Sequence, residues 1–171
     1  KKFLVAGAGK SGIGSVNLLL KTGADVSLYD GNEELDKEAL FEKLYEKKEI
    51  SLVLGNITKE DIEKYDLLVL SPGISVNAPI AQMFYDQEKP VWSEIELAYQ
   101  ASKGKIAAIT GTNGKTTTTA LTGEIMKGYY ESSFVVGNIG IPYTSVALDT
   151  QENSVITAEI SSFQLETIVD F

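Results

Sequence analysis

Two glycine-rich segments of this sequence have the spacing of phosphate-binding loops, and the first is Gly7-x-Gly9-x-x-Gly12. It follows the apolar run 2–5, which predicts a strand, and Asp30 closes the next predicted strand. Glycines at these positions permit a tight turn and a close approach of the backbone to a pyrophosphate. The pattern indicates dinucleotide binding with NAD as the default, although any nucleoside diphosphate could bind through the same contacts between its phosphates and backbone amides. The alternative is a plain strand–turn–helix in which glycine only relieves crowding.

The second segment lies between the apolar run 106–109 and a threonine-rich predicted helix. Its residues are Gly111, Thr112, Asn113, Gly114, Lys115, Thr116 and Thr117. Backbone amides of such a loop wrap phosphate oxygens, Lys115 can neutralise charge on the β- and γ-phosphates, and the Thr116 hydroxyl can ligate Mg²⁺. The strict phosphate-loop pattern requires glycine where this chain has Ile109, so the loop is a shortened variant. A threonine-rich helix cap is the alternative, and we predict ATP binding.

A carboxylate ends the last apolar run of the chain. Glu159 lies at the carboxyl end of the predicted strand 155–160, which is the ligand-binding edge of a parallel sheet. We predict that it completes the magnesium site with Thr116. Ser161 and Gln164 add polar groups near the same edge. A solvated strand end with Ser161 as a helix cap is the competing interpretation.

Composition narrows the chemistry further. All 15 basic residues are lysines, against 24 acidic residues, so the net charge of −9 disfavours nucleic acid as a partner. The chain has no Cys and no His, which excludes thiol nucleophiles, Ser-His-Asp triads and histidine metal ligands. Carboxylates, lysines, hydroxyls, amides and an oxygen-liganded metal ion remain, which favours phosphoryl transfer with magnesium. No apolar run reaches the roughly 18–20 residues that span a bilayer, so we expect a soluble protein without membrane insertion.

The elements that must position these residues alternate between strand and helix. Predicted strands occupy 2–5, 26–29, 51–54, 67–70, 106–109, 134–136 and 155–160. One predicted helix begins after Gly12, and three others occupy 33–48, 93–102 and 115–127. This alternation predicts an α/β fold with parallel sheets. We expect a Rossmann-like domain over 1–92, followed by the start of a P-loop-type α/β ATP-binding domain over 93–171. The second unit stops without a closing element, so we expect part of a longer protein.

Four runs together resemble one family. The run 109–118, Ile-Thr-Gly-Thr-Asn-Gly-Lys-Thr-Thr-Thr, resembles the shortened ATP loop of the Mur ligase superfamily, whose members add amino acids to cell-wall precursors. The run 159–166, Glu-Ile-Ser-Ser-Phe-Gln-Leu-Glu, is similar to the branch of that family that adds D-glutamate. Gly-Asn-Ile-Gly at 137–140 and Ser-Pro-Gly-Ile at 71–74 match the same branch in order and spacing.

This resemblance implies that the first unit holds UDP rather than NAD. The implied UDP-substrate residues are Gly9, Lys10, Ser11, Gly12, Asp30, Ser71, Pro72, Gly73, Asn138, Ser161 and Gln164. Asp30 would approach the uracil, whereas Asn138 and Ser161 would contact the muramoyl-alanine end. Lys115 and Glu159 would be the catalytic residues that serve ATP and Mg²⁺.

The resemblance also implies an activity. It is that of a cytoplasmic, ATP-dependent amide ligase that adds D-glutamate to UDP-N-acetylmuramoyl-L-alanine through an acyl phosphate, in peptidoglycan precursor synthesis. Family members carry a magnesium-binding His, a carbamylated Lys and a C-terminal domain beyond the region seen here, so we expect the chain to be inactive alone. Two other functions remain open from the residues: an NAD-binding module fused to a P-loop unit, and a non-catalytic nucleotide-sensing domain.

Overall fold

The computed structural model describes residues 1–171. The chain divides into two compact units, Lys1–Glu94 and Ile95–Phe171. Each unit contains one parallel sheet with helices between its strands, so the predicted α/β fold is confirmed. The first unit ends at Glu94, two residues after the boundary expected from the sequence and one residue after the last strand of the first sheet.

The first unit is built on a five-stranded sheet. Its strands are β1 (Lys2–Ala6), β2 (Asp25–Asp30), β3 (Ser51–Leu54), β4 (Leu67–Leu70) and β5 (Val91–Ser93). The helices of this unit are α1 (Lys10–Lys21), α2 (Lys37–Phe41), α3 (Lys59–Ile62) and α4 (Pro79–Asp86). All strand pairs are parallel and the strand order is β3-β2-β1-β4-β5. The chain therefore builds outward from β1 in one direction and then in the other, which creates a switch point between β1 and β4.

Apolar side chains on both faces of this sheet form the core. Leu4 and Leu68 are fully buried, and Ile62, Ile80 and Phe84 pack from the helices against them. Strands buried on both faces are read as continuous apolar runs, which is why β1 and β4 could be located in the sequence.

The second unit has a three-stranded sheet. Helix α5 (Glu94–Ala101) leads into it, and its remaining elements are β6 (Lys105–Ile109), α6 (Lys115–Tyr129), β7 (Ser133–Gly137), α7 (Tyr143–Val146) and β8 (Val155–Glu159). The strand order is β6-β8-β7, again all parallel, so β8 is central. Every residue of β8 is buried. A 3₁₀ turn, Phe163–Thr167, follows β8.

The predicted helix over 33–48 is wrong. Only α2 forms there, with a separate 3₁₀ turn at Tyr45–Lys47 that contains two residues of positive φ, Glu46 (φ 56°) and Lys47 (φ 51°). Asp36 caps the short helix by accepting a hydrogen bond from the Ala39 amide at 3.0 Å, so the helix begins after it. Leu40 and Leu44 are the buried apolar residues of the segment, which gives a longer helix too little apolar surface to pack.

Candidate phosphate-binding sites

The first glycine loop lies at the carboxyl edge of the first sheet, between β1 and the start of α1. Gly7 has a φ of +96°, a conformation that glycine adopts without strain. A Cβ on Gly12 would overlap the carbonyl oxygen of Gly7, so the loop can close onto the helix only with glycine at this position. No side chain caps the start of α1 at Gly9, which leaves its first-turn amides available to an anion.

Ser71, Pro72 and Gly73 follow β4, directly beside this loop. Strand β4 pairs with β1, and the Ser71 amide donates to the carbonyl of Ala6 at 3.1 Å. The Ser71 hydroxyl donates to the carbonyl of Gly7 at 3.4 Å. The structure therefore brings Gly7–Gly12 and 71–73 together at the switch point, which is where open α/β sheets bind ligands.

Asp30 holds the first glycine loop in place. One carboxylate oxygen accepts a hydrogen bond from the amide of Ala8 at 2.7 Å, and the other accepts from the amide of Asn32 at 2.9 Å. The acid at the end of β2 thus connects two loops of the same sheet edge. Lys10 is exposed and Ser11 is half-buried at the start of α1, next to this arrangement.

A cavity of about 420 Å³ opens on this unit, and sequence reasoning missed most of its lining. Its walls include Tyr29, Gly31, Asn56, Ile57, Ile74 and Met83. Tyr29 and Gly31 flank Asp30, and Ile74 follows the 71–73 segment. In the sequence, the only sign of this cavity is the presence of apolar residues shortly after strand ends. Ordinary loops contain such residues as well, so the sign does not identify a binding site.

The second glycine loop connects β6 to α6. Gly111 has a φ of +146° and Gly114, the residue before the helix, a φ of +77°. The ammonium of Lys115 donates to the carbonyl of Gly111 at 2.7 Å, so the lysine folds back over its own loop. No side chain caps the helix start. Thr112, Asn113, Thr116 and Thr117 are all exposed around it.

Glu159 stands at the carboxyl end of the central strand of the second sheet. Its register partners are Ile109 on β6, just before the glycine loop, and Gly137 on β7. The side chain is only 5% exposed, and its Oε2 has no hydrogen-bond partner. The amide of Asn138 donates to the Glu159 carbonyl at 3.1 Å. The structure therefore gathers the loop, Glu159 and Asn138 at one edge.

Ser161 and Gln164 form a closed local arrangement after β8. The amide and the hydroxyl of Ser161 both donate to Oε1 of Gln164, at 2.8 Å and 3.0 Å. Gln164 is 3% exposed, whereas Ser161 is half-buried. Gln164 thus orients Ser161 at the sheet edge, and Ser161 is the more accessible of the two.

The side chains at this edge offer oxygen donors, which suit a hard cation such as magnesium. No three His, Cys, Asp or Glu side chains cluster in the chain. Magnesium is commonly bound through one or two carboxylates together with substrate phosphates and water. The buried carboxylate of Glu159 and the exposed hydroxyl of Thr116 supply oxygen donors of this type.

Two parallel sheets, each with a glycine loop leading into an uncapped helix at its carboxyl edge, define an α/β protein of the Rossmann-like and phosphate-loop class. Residues 1–93 match the Mur ligase MurD-like N-terminal domain, and residues 109–171 match the Mur ligase middle domain. The chain therefore belongs to the Mur ligase family, and the resemblance seen in its sequence is confirmed.

Similar proteins carry one shared name. A UDP-N-acetylmuramoylalanine–D-glutamate ligase of Lachnospira eligens is 55% identical over 171 residues, covering 100% of this chain and 38% of that protein. A protein of the same name from Lachnoclostridium phytofermentans is 53% identical with the same coverage. The chain thus spans 38% of the length of these relatives.

Solved structures share the fold at low sequence identity. A UDP-N-acetylmuramate-alanine ligase of Thermotoga maritima has a TM-score of 0.50 at 22% identity, covering 94% of this chain and 37% of that one. A UDP-N-acetylmuramate:L-alanyl-gamma-D-glutamyl-meso-diaminopimelate ligase of Neisseria meningitides has a TM-score of 0.53 at 16% identity, covering 95% and 55%. These likenesses establish the fold alone. None of the helices combines the length and the apolar character needed to cross a bilayer.

Proposed function

We propose that this chain supplies the UDP-substrate-binding and ATP-binding parts of a cytoplasmic ligase that adds D-glutamate to UDP-N-acetylmuramoyl-L-alanine in peptidoglycan precursor synthesis. One observation supports the proposed ATP and magnesium site most strongly. Glu159, which has a buried unpartnered oxygen, lies on the strand beside the second glycine loop. The relatives that match the whole chain at 53–55% identity support the choice of substrates through their names.

The second unit would bind ATP with Mg²⁺. Amides at the start of α6 would hold phosphate oxygens, and Lys115 would exchange its bond to the Gly111 carbonyl for the β- and γ-phosphates. Thr116 and Glu159 would ligate the magnesium ion, which supplies neutralisation of phosphate charge when it is bound. The loop residues Gly111, Thr112, Asn113, Gly114 and Thr117 complete the proposed ATP site.

The first unit would bind the UDP part of the substrate. The diphosphate would lie against Gly9–Gly12 and 71–73, which the structure places at one switch point. The cavity beside Asp30 is large enough for a base and has apolar walls that would contact its faces. Asn138, Ser161 and Gln164 of the second unit would serve the muramoyl-alanine end.

The reaction requires no side-chain nucleophile. The γ-phosphoryl group of ATP would pass to the L-alanyl carboxylate, which gives an acyl phosphate and ADP. The amine of D-glutamate would then attack the acyl carbon, and phosphate would leave as the amide forms. Holding the phosphates in position and neutralising their charge is the main contribution expected of Lys115 and the loop amides. A chain without Cys or His is compatible with this chemistry.

A chimera tests the proposed reaction. This chain would replace the matching 38% of the Lachnospira eligens relative, and phosphate release would be measured with ATP, UDP-N-acetylmuramoyl-L-alanine and D-glutamate. We expect turnover that depends on all three substrates and that disappears in a Lys115→Ala chimera. A folded chimera that releases no phosphate, beside an active parent, would contradict the proposal.

A further inference from the structure

Three buried side-chain oxygens without a partner belong to α6 and β8. They are Oγ1 of Thr119, Oγ1 of Thr157 and Oε2 of Glu159. Thr119 and Thr157 are 0% exposed and Glu159 is 5% exposed. Because nearly all buried polar groups in folded proteins are hydrogen-bonded, an unpartnered group at a sheet edge points to an interaction made in another state.

All three oxygens belong to side chains on the same interface. Gly123 and Thr119 are the buried residues of α6 and lie four positions apart, on one face of the helix. A Cβ on Gly123 would run into Cγ2 of Val135, so this face covers the Val135 side of the sheet. Thr157 pairs with Val135, so its side chain lies on the same face of the sheet. Glu159 lies two residues further along β8, so the side chains of Thr157 and Glu159 both point toward α6.

Thr119 and Glu159 also lie at the same height along the strands. Helix α6 connects parallel strands, so it runs antiparallel to them and its start lies near their carboxyl ends. Gly123 covers the row of Val135 and Thr157. Four helix residues rise about 6 Å and two strand residues about 6.6 Å, so Thr119 covers the row of Glu159.

A buried helix hydroxyl in the first unit shows what Thr119 lacks. Ser15 lies in α1 and is 0% exposed, and its hydroxyl donates to the carbonyl of Ser11, four residues earlier, at 3.0 Å. The Thr119 hydroxyl makes no such bond to its own helix. It is therefore a donor that remains free to serve the acid opposite.

We propose that Thr119 is a positioning residue, whose hydroxyl donates to Oε2 of Glu159 when Mg²⁺ and ATP are bound, and this rests on the proposed function of the second unit. The hydrogen bond would hold one carboxylate oxygen in place and leave the other oxygen of Glu159 available to ligate magnesium. Partners that orient a metal-ligating carboxylate typically change metal affinity about 10–100-fold when they are removed. Thr119 touches neither metal nor nucleotide in this arrangement.

The experiment measures ATP affinity of the 171-residue chain by calorimetry, with and without Mg²⁺. In Thr119→Val we expect the magnesium-dependent gain in ATP affinity to fall about tenfold, with metal-free ATP affinity unchanged. Thr119→Ser restores the hydroxyl and should restore the gain. Thr157→Val is the matched control, because it removes an equally buried hydroxyl from the same interface one row away.

A second comparison uses Glu159→Gln. In that background the magnesium effect is already lost, so adding Thr119→Val should change it no further. Hydrogen exchange of the β8 amides shows whether each variant is folded, and Thr119→Ala replaces Thr119→Val if valine disrupts the unit.

The possible outcomes separate the two proposals. A wild-type chain that binds no ATP would overturn the proposed function and this inference with it. Magnesium-dependent ATP binding that survives the loss of the Thr119 hydroxyl, or that falls equally in Thr157→Val, would overturn the inference alone.

Discussion

The two glycine loops differ most in what the nearby acid does. In the first unit both carboxylate oxygens of Asp30 accept backbone amides, from Ala8 at 2.7 Å and from Asn32 at 2.9 Å. In the second unit Glu159 is buried and its Oε2 has no partner. The loops themselves are alike, since each leads into a helix that no side chain caps.

This difference separates an acid whose two oxygens both accept backbone amides from an acid with an unpartnered oxygen. An acid whose oxygens already accept amides fixes a loop, and its removal should cost stability. An acid that is buried without a partner is destabilising in the free protein, and such a group is retained where a ligand completes it. We therefore expect substitutions at Asp30 to change folding, and substitutions at Glu159 to change metal binding.

The largest effect is expected for Gly12→Ala in the first loop. The added Cβ would overlap the carbonyl group of Gly7, and this backbone group cannot move aside easily. We expect a loss of about 3 kcal/mol or more in stability of the first unit. Fluorescence of the single tryptophan, Trp92 on β5, would follow urea unfolding of this unit. Gly9→Ala is the control, because nothing lies within 4 Å of its Cβ position, and an equal loss there would contradict the steric account.

Lys115→Ala should have the next largest effect, on ATP affinity. Hydrogen bonds to charged groups contribute about 1.5–3 kcal/mol, which corresponds to roughly tenfold to a hundredfold weaker binding. Calorimetry with Mg²⁺ and ATP measures this change. Lys10→Ala in the first loop sharpens the comparison, because this exposed lysine should change affinity for UDP-N-acetylmuramoyl-L-alanine much less. Near-normal ATP affinity in Lys115→Ala would refute its role.

Asp30→Asn should destabilise the first unit by about 1–2 kcal/mol, because one of its two backbone amides loses an oxygen acceptor. Urea unfolding monitored at Trp92 measures the change. Asp25→Asn is the matched control, since its ion pair with Lys2 is long, at 3.7 Å, and exposed. If the two variants unfold alike, Asp30 does not hold the loop.

The smallest change in stability is expected for Glu159→Gln. Because an unpartnered buried carboxylate is destabilising, its replacement by an amide should not lower the stability of the second unit, while the magnesium-dependent gain in ATP affinity disappears. Hydrogen exchange of the β8 amides and calorimetry measure the two quantities separately. A large loss of protection in β8 would show that Glu159 is structural, as Asp30 is.

Much of the fold was accessible from the sequence because its strands are buried on both faces. The apolar runs of β1, β4 and β8 identify them directly. Strand β5 is not predicted, because three residues are too few to show a recognisable hydrophobic pattern. Its pairing with β4 joins residues that are far apart in the sequence. The helix expected over 33–48 was wrong because charge and occasional leucines resemble an amphipathic pattern without enough apolar surface to pack.

Some parts of the candidate sites are also visible in the sequence, whereas others depend on the fold. Glycine spacing located both loops, and position at a strand end located Glu159, because these signals are local. The lining of the cavity near Tyr29 comes from three separate segments, so no local pattern reveals it. Thr119 lies in a run of four threonines, and only the packing of α6 shows which of them is buried against the sheet.

We propose that the first unit binds a UDP-linked substrate and that the second binds ATP. Calorimetric titration of the 171-residue chain with UDP-N-acetylmuramoyl-L-alanine, and separately with NADH, tests the first half most directly. We predict saturable binding of the UDP ligand that Gly12→Ala abolishes and Lys115→Ala leaves intact, with no binding of NADH. Saturable binding of NADH without any response to the UDP ligand would contradict the account.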